Sequence, residues 1–362
     1  MVMIKLEGVA MTVDQFSKAI IAVGILALQF DTVLAHHSRA EFAEEVQVLE
    51  GVLVGFNWSN PHPTFELLVI NEEGIEEAWE VQAFGTIYTL TRAGVTADYF
   101  MLGDQVRIAG SLSTRRDLVF LGINILLGSG QEVVLHGGAL PYFNQEGVGG
   151  LANWAAGESD VADAETENRG LYRTWSMPNR TNRSYVYEDD TAPRAINLHL
   201  PFNETRLAER AAWDTLDDPD MQCVPKGMPA VMITPHPFDF FEDGENIKIV
   251  AHEYGVERVI YLDRALEAVA DMPRSNVGYS VGRWEGNTLV VDTTEIAANY
   301  FFFGFDIGDR VEVVERMTLS ADQTRLDYSA VITDPETFTE PARIDRYWLA
   351  LGEMPEPYDC VR

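Results

Sequence analysis

The sequence predicts a mainly β protein, a small barrel followed by a larger antiparallel barrel. Three observations lead there. Short stretches rich in β-branched and aromatic residues alternate with turn signals across 46–136, and seven more follow between 246 and 351. Helical periodicity is confined to two short segments, 87–93 and 204–216. With 362 residues, 46% of them hydrophobic and 10% aromatic, the chain can fill about two cores.

Taken in order, residues 1–35 read as a secretory signal. The apolar run 19–30 is too short for a membrane span, which needs about 20 residues, and Val33-Leu34-Ala35 supplies small residues for cleavage after Ala35. Met11 offers an alternative start. The mature chain then begins His36-His37-Ser38 in a periplasmic or secreted location, with no remaining membrane span. Export implies an oxidising compartment, in which the only two cysteines, Cys223 and Cys360, are expected to pair.

Residues 36–136 form the first domain, with strands expected at 46–56, 65–71, 78–83, 105–110 and 119–126 and a helix at 87–93. Five short strands in that span give a barrel of OB-like size. Residues 137–200, with Gly-Gly pairs and an acidic run at 158–167, read as a linker draped over the surface. The second domain, 201–362, opens with a helix capped by Asn203, then strands at 246–254, 257–263, 278–284, 288–294, 310–319, 325–333 and 342–351. Short joins at 285–287 and 321–323 imply hairpins, hence an up-and-down, lipocalin-like barrel.

The 57 Asp and Glu against 26 Lys and Arg give a net charge of −31, which excludes a general nucleic-acid binder and disfavours docking on anionic lipid. No 20–50-residue repeat, Walker loop, dinucleotide fingerprint, zinc spacing, His-Glu-x-x-His helix or EF-type loop is present. Gly278-Tyr279-Ser280-Val281-Gly282 matches a nucleophile elbow only in letters, because its surroundings read as strand and hairpin.

Two sets of residues carry a resemblance. His36-His37-Ser38, Trp58-Ser59-Asn60-Pro61-His62 and Leu102-Gly103-Asp104 are similar to an exported bacterial family of unknown function. Asp218-Pro219, Cys223-Val224-Pro225 and the run 278–293, Gly-Tyr-Ser-Val-Gly-Arg-Trp-Glu-Gly onward, are similar to the domain often joined to it. The resemblance implies export and two domains, and no reaction.

Three functional readings follow from the residues. The leading one is binding of a small, largely apolar molecule in the second barrel, lined by Tyr279, Trp284, Tyr328 and Trp348 with Arg258 and Arg316 as cations. The apolar loop 299–305 serves as a lid, an interface patch or a core plug. The second is an acid–base enzyme, an isomerase, cyclase or hydrolase. Period-2 alternation places Glu315, Glu253 and Asp292 in the apolar phase of their strands, with Arg283 to orient a substrate. Arg258 falls in the opposite phase from Val259, Tyr261 and Asp263. Structural ion pairs are the ordinary alternative for these groups. The third is copper binding through the α-amine and ring of His36, with His37 and His62, which otherwise anchor the chain by hydrogen bonds. His136, His199 and His236 read as isolated structural residues.

Overall fold

The computed structural model describes residues 41–137, 139–150, 170–178, 200–262, 264, 272–302, 304–352 and 356–361. It holds two closed β-barrels. The expected signal segment, His36, His37, His199 and Asp263 lie outside the described residues.

The small barrel consists of β1 (Gln47–Asn57), β2 (Thr64–Ile70), β3 (Glu76–Ala83), β4 (Gln105–Leu112) and β5 (Val119–Leu126). They run in the order β3-β2-β1-β4-β5, and a parallel β3 to β5 pairing closes the ring. Alternation dictates the inward face. Phe65, Leu67 and Val69 of β2 are buried with Leu53, Val81, Ile108 and Phe120. Register breaks at Leu53/Gly55 and at Ala109/Gly110 bend the strands enough to close so small a ring. Gly110 is obligatory, because a side chain there would collide with the Leu121 carbonyl. Helix α1 (Ile87–Arg92), N-capped by Thr86, joins β3 to β4 where a helix was expected. Strands β6 (Glu132–Val134) and β7 (Val148–Gly149) extend the sheet beyond β5.

The larger barrel begins earlier in the chain than the expected second domain. Its strands are β8 (Thr174–Ser176), β9 (Phe238–Asp243), β10 (Asn246–Ala251), β11 (Val256–Leu262), β12 (Tyr279–Glu285), β13 (Thr288–Thr294), β16 (Glu312–Leu319), β17 (Arg325–Thr333) and β18 (Ala342–Ala350), with the hairpin β14 (Asn299–Phe302) and β15 (Phe305–Ile307) between β13 and β16. The nine close in the order β10-β11-β12-β13-β16-β17-β18-β8-β9.

β8 lies inside the stretch expected to drape as a linker. It instead bridges β18 to β9 and buries Trp175 completely. Three residues are too few to show alternation, so only the unpaired edges of its neighbours reveal the need for a strand. All pairs in this barrel are antiparallel except β11 to β12, which pair in parallel.

Helix α2 (Glu204–Ala212) keeps its Asn203 cap, but stops four residues short of the expected end and buries none of its side chains. The apolar loop is a core plug. Phe301, Phe302 and Phe305 are buried, and Phe202 stacks on Phe305 at 3.7 Å.

The two barrels belong to one compact unit. Tyr88 of α1 packs with Leu349 and Leu351 beside β18, and Asn60 pairs with Cys360, which is bonded to Cys223. The expected disulfide is therefore present. Because Trp175 fills the core at the closing strand, Trp175→Ala is expected to cost about 3–5 kcal/mol of unfolding free energy, read by urea denaturation. A loss below 1 kcal/mol would show that β8 does not close the barrel.

Candidate functional site

The lumen of the larger barrel holds an ion pair. Arg258 enters it because β11 starts after Tyr254 and Gly255, both in the left-handed region, so that Arg258 and Ile260 share the inward phase. This reverses the expected phase, in which Val259 and Tyr261 were the buried set. The Arg258 guanidinium donates to both carboxylate oxygens of Glu315, at 3.0 Å from Nη1 to Oε1 and more closely from Nη2 to Oε2. Its Nε donates to Ser280 Oγ at 2.9 Å and its Nη2 to Thr293 Oγ1 at 2.8 Å. Tyr328 donates to Glu315 Oε1 at 3.0 Å, and burial foremost, then the Glu315 carboxylate, pushes its pKa up.

Every charge in this group has its partners. Glu315 is 0% exposed and Arg258 2%, while Tyr328 and Trp348 are equally sealed, with Trp348 packed between Phe238 and Tyr328 at 4.7 and 4.6 Å. The guanidinium and the carboxylate are directed at one another and at hydroxyls of the barrel wall. Glu315→Ala strands a buried cation, so it is expected to cost about 3–5 kcal/mol, whereas Arg258→Met with Glu315→Leu is expected to stay folded. Urea melts of both variants check this; a harmless Glu315→Ala would overturn the assignment of the pair as a structural core.

The other expected barrel residues face outward. Asp292 pairs with Arg283 on the outer wall, and Glu285 joins them at 3.2 Å from Arg283 and 3.0 Å from Arg316. Trp284 is 48% exposed at the end of β12. Tyr279 stacks on Tyr261 at 4.6 Å and accepts from Arg264 Nη1 at 3.0 Å, also on the outside. The structure therefore divides the residues expected in one cavity among lumen, wall and seam.

Glu253 belongs to the seam between the barrels, where a second buried polar cluster forms. The 3-10 turn Pro219–Gln222, N-capped by the Asp218 side chain, presents Asp220. Lys226 inserts its ammonium between Asp220 and Glu253, 3.3 Å from Glu253 Oε1. His236, just before β9, places Nε2 3.4 Å from the same oxygen. His252, which follows β10 and caps the 3-10 turn that carries Glu253, has Nε2 2.6 Å from the Glu356 carbonyl. The Tyr254 hydroxyl donates to the Asp220 carbonyl at 2.7 Å. Tyr358 sets its ring edge-on to His236, His252 and Tyr254, with centroids 5.9, 5.6 and 4.9 Å away.

The small barrel contributes the facing side. Tyr88 lies 4.9 Å from the His252 ring, and Phe84 is stacked between His62 and His136 at 6.2 and 4.3 Å. His62 is near enough to bear electrostatically on His236. All four histidines among the described residues thus lie along this seam, including His136 and His236, which read as isolated in the sequence.

Burial dominates the electrostatics. It raises Asp220 from 3.8 to about 6, partly offset by the Lys226 charge. Burial opposes the Lys226 ammonium, but Glu253 and Asp220 together hold its pKa above the ordinary lysine value. Burial and His236 push His252 down from 6.5 to about 4, and burial lowers His236 as well, so both rings are neutral at pH 7. With each Nε2 facing an oxygen acceptor, the proton sits on Nε2 and Nδ1 is left as an acceptor. Neither Nδ1 nor Asp220 Oδ1 has a hydrogen-bond partner. Buried polar atoms without partners are uncommon in folded proteins and call for an explanation.

Sequence reasoning singled out only Glu253 and His62 of this group for a functional role. Asp220, Lys226, His252, Tyr254 and Tyr358 were missed, although Asp220 lies within the Asp218-to-Pro225 motif and Tyr358 next to the expected disulfide. Among the described residues no group of three or more His, Cys, Asp or Glu is arranged to hold a metal ion.

A family profile described as Family of unknown function (DUF6152) matches residues 25–117, which cover most of the small barrel and none of the larger one. No curated protein matches the chain. Among the described residues no helix is long and apolar enough to cross a membrane.

The pH dependence of the seam has a definite sign. A carboxyl raised to about 6 in the fold favours folding fully below about pH 4 and loses that contribution as pH rises through 6. His252, lowered to about 4, acts oppositely: its contribution is present above 6.5 and lost as pH falls through 4. Asp220→Asn removes only the first effect. The wild type is therefore expected to lose stability relative to Asp220→Asn between about pH 4 and 6, read by urea unfolding at both ends. A constant difference would place the Asp220 pKa at its ordinary value.

Proposed function

We propose that the protein is exported, to the periplasm or beyond, and is an acid–base enzyme whose site is the seam between the barrels. Its substrate in this reading is a small molecule carrying hydroxyl or amine donors. One observation carries the proposal: a carboxyl that titrates near pH 6 lies beside a permanently charged buried lysine, with three buried acceptor atoms lacking donors. A group with a pKa near the working pH is best suited to both take and give a proton. Asp220 fills that role, the Lys226 ammonium stabilises negative charge that develops beside it, and Glu253 holds Lys226 and His236 in place. The Nδ1 atoms of His236 and His252 accept from the substrate's donors. The reaction class is proton transfer within an isomerisation, cyclisation or hydrolysis.

The disulfide supports the oxidising compartment, since such bonds persist outside the reducing cytosol. The lumen supports ligand binding less well than the seam, because Arg258 and Glu315 are hydrogen-bonded to one another and to Ser280, Thr293 and Tyr328, whereas three acceptor atoms of the seam have no donor.

A panel of hydroxyl- and amine-bearing metabolites, scanned by thermal shift, tests the proposal. The expected result is a compound that raises the Tm of the wild type and of Trp284→Ala, but not of Asp220→Asn or His236→Phe, with turnover changing around pH 6. A ligand whose binding survives Asp220→Asn and His236→Phe but is lost in Trp284→Ala would move the site to the outer wall.

A further inference from the structure

We propose that residues 356–361 form a strap over the seam site, latched by the Cys223 to Cys360 disulfide and released when a dithiol reduces it. The inference rests on the seam being the functional site, and adds its regulation.

The strap lies on the surface, with one side chain turned inward. Glu356, Pro357, Asp359 and Val361 are exposed, whereas Tyr358 is buried against His236, His252 and Tyr254. Tyr358 thus covers the two imidazoles whose Nδ1 atoms have no partner. Apart from the disulfide, few bonds hold the backbone. Asn60 N–H donates to the Asp359 carbonyl at 3.2 Å, Val361 N–H donates to the Asn60 carbonyl at 3.1 Å, and His252 meets the Glu356 carbonyl. Beyond the disulfide, Tyr358 with its three ring contacts is the main anchor of the segment, and a surface segment held by one buried side chain opens locally once its covalent tie is gone.

The tie acts on both sides of the site. Cys360 stands two residues beyond Tyr358, and Cys223 is the C-cap of the turn that presents Asp220. Cys223 has φ 57°, a left-handed conformation that a residue other than glycine rarely adopts unless its surroundings hold it there. Reduction therefore frees Tyr358 and at the same time removes a restraint on the Asp220 turn. Both cysteines are half-buried, with exposed neighbours Gln222, Val224, Asp359 and Val361, so a reductant can reach them.

The chemistry is ordinary exchange. A thiolate of a thioredoxin-class dithiol attacks one sulfur of the bridge, giving a mixed disulfide, and the reductant's second thiol resolves it. The bridge bond breaks and one forms in the reductant. Two electrons and two protons end on Cys223 and Cys360.

Carbethoxylation of neutral histidines by diethyl pyrocarbonate, mapped by peptide mass spectrometry, tests the strap on the full chain without any ligand. In the oxidised protein His236 and His252 are expected to label slowly. After phosphine reduction, or in Cys360→Ser, labelling is expected to rise about tenfold or more while the tryptophan bands of the near-ultraviolet circular dichroism, which report the core around Trp175 and Trp348, are retained, as for local opening. Tyr358→Ala, with the disulfide intact, is expected to raise labelling as well. Unchanged labelling in the fully reduced protein would overturn the proposal. So would labelling that rises only together with loss of the tryptophan bands, which would make the bridge a staple of the whole fold. Failure of the seam to bind the metabolite panel would leave the labelling result standing, so the two ideas fail separately.

Discussion

Closure of the larger barrel depends on three residues. Without β8 (Thr174–Ser176), the outer edges of β18 and β9 would expose unpaired backbone N–H and C=O groups, and the sheet would be open along its length. Closing it seals the lumen, and the sealed lumen is what makes a buried ion pair tolerable only when every hydrogen bond is made. Arg258 and Glu315 meet that condition through Ser280, Thr293 and Tyr328, contributed by three further strands around the ring. The pair is best regarded as a polar pin that sets the register of β11, β12, β13, β16 and β17 against one another.

The seam presents the opposite balance. There the charges are paired, but two imidazole nitrogens and one carboxylate oxygen are not. The contrast between a lumen ion pair whose charges are all hydrogen-bonded and a seam with acceptors to spare is what favours the seam in the proposed reading. Asn60, which pairs with Cys360, and Tyr88, which packs on Leu349 and Leu351, hold the two barrels together beside this cluster.

Much of the architecture was legible in the sequence. The strands of the small barrel, α1, the Asn203 cap and the hairpins β12 to β13 and β16 to β17 follow from alternation, capping chemistry and turn residues, all of which act over a few neighbours. The inward phase of Glu315 was readable for the same reason, with Val313 and Met317 buried on either side of it. The phase of Arg258 was not, because two left-handed residues upstream decide where β11 begins. Asp292 and Arg283 looked alike in sequence to groups in the lumen, yet their strands turn them to water.

The sequence by itself determined the mainly β class, the two barrels and the cysteine pair, because these rest on local periodicity and on composition. Tertiary structure alone decided that a three-residue strand closes the larger barrel, and that Asp220, Lys226, His236, His252 and Tyr358 meet at one place. Those residues are separated by up to 138 positions, and no local pattern records their meeting. What joins them is the packing of one barrel against the other and a single covalent bond between Cys223 and Cys360.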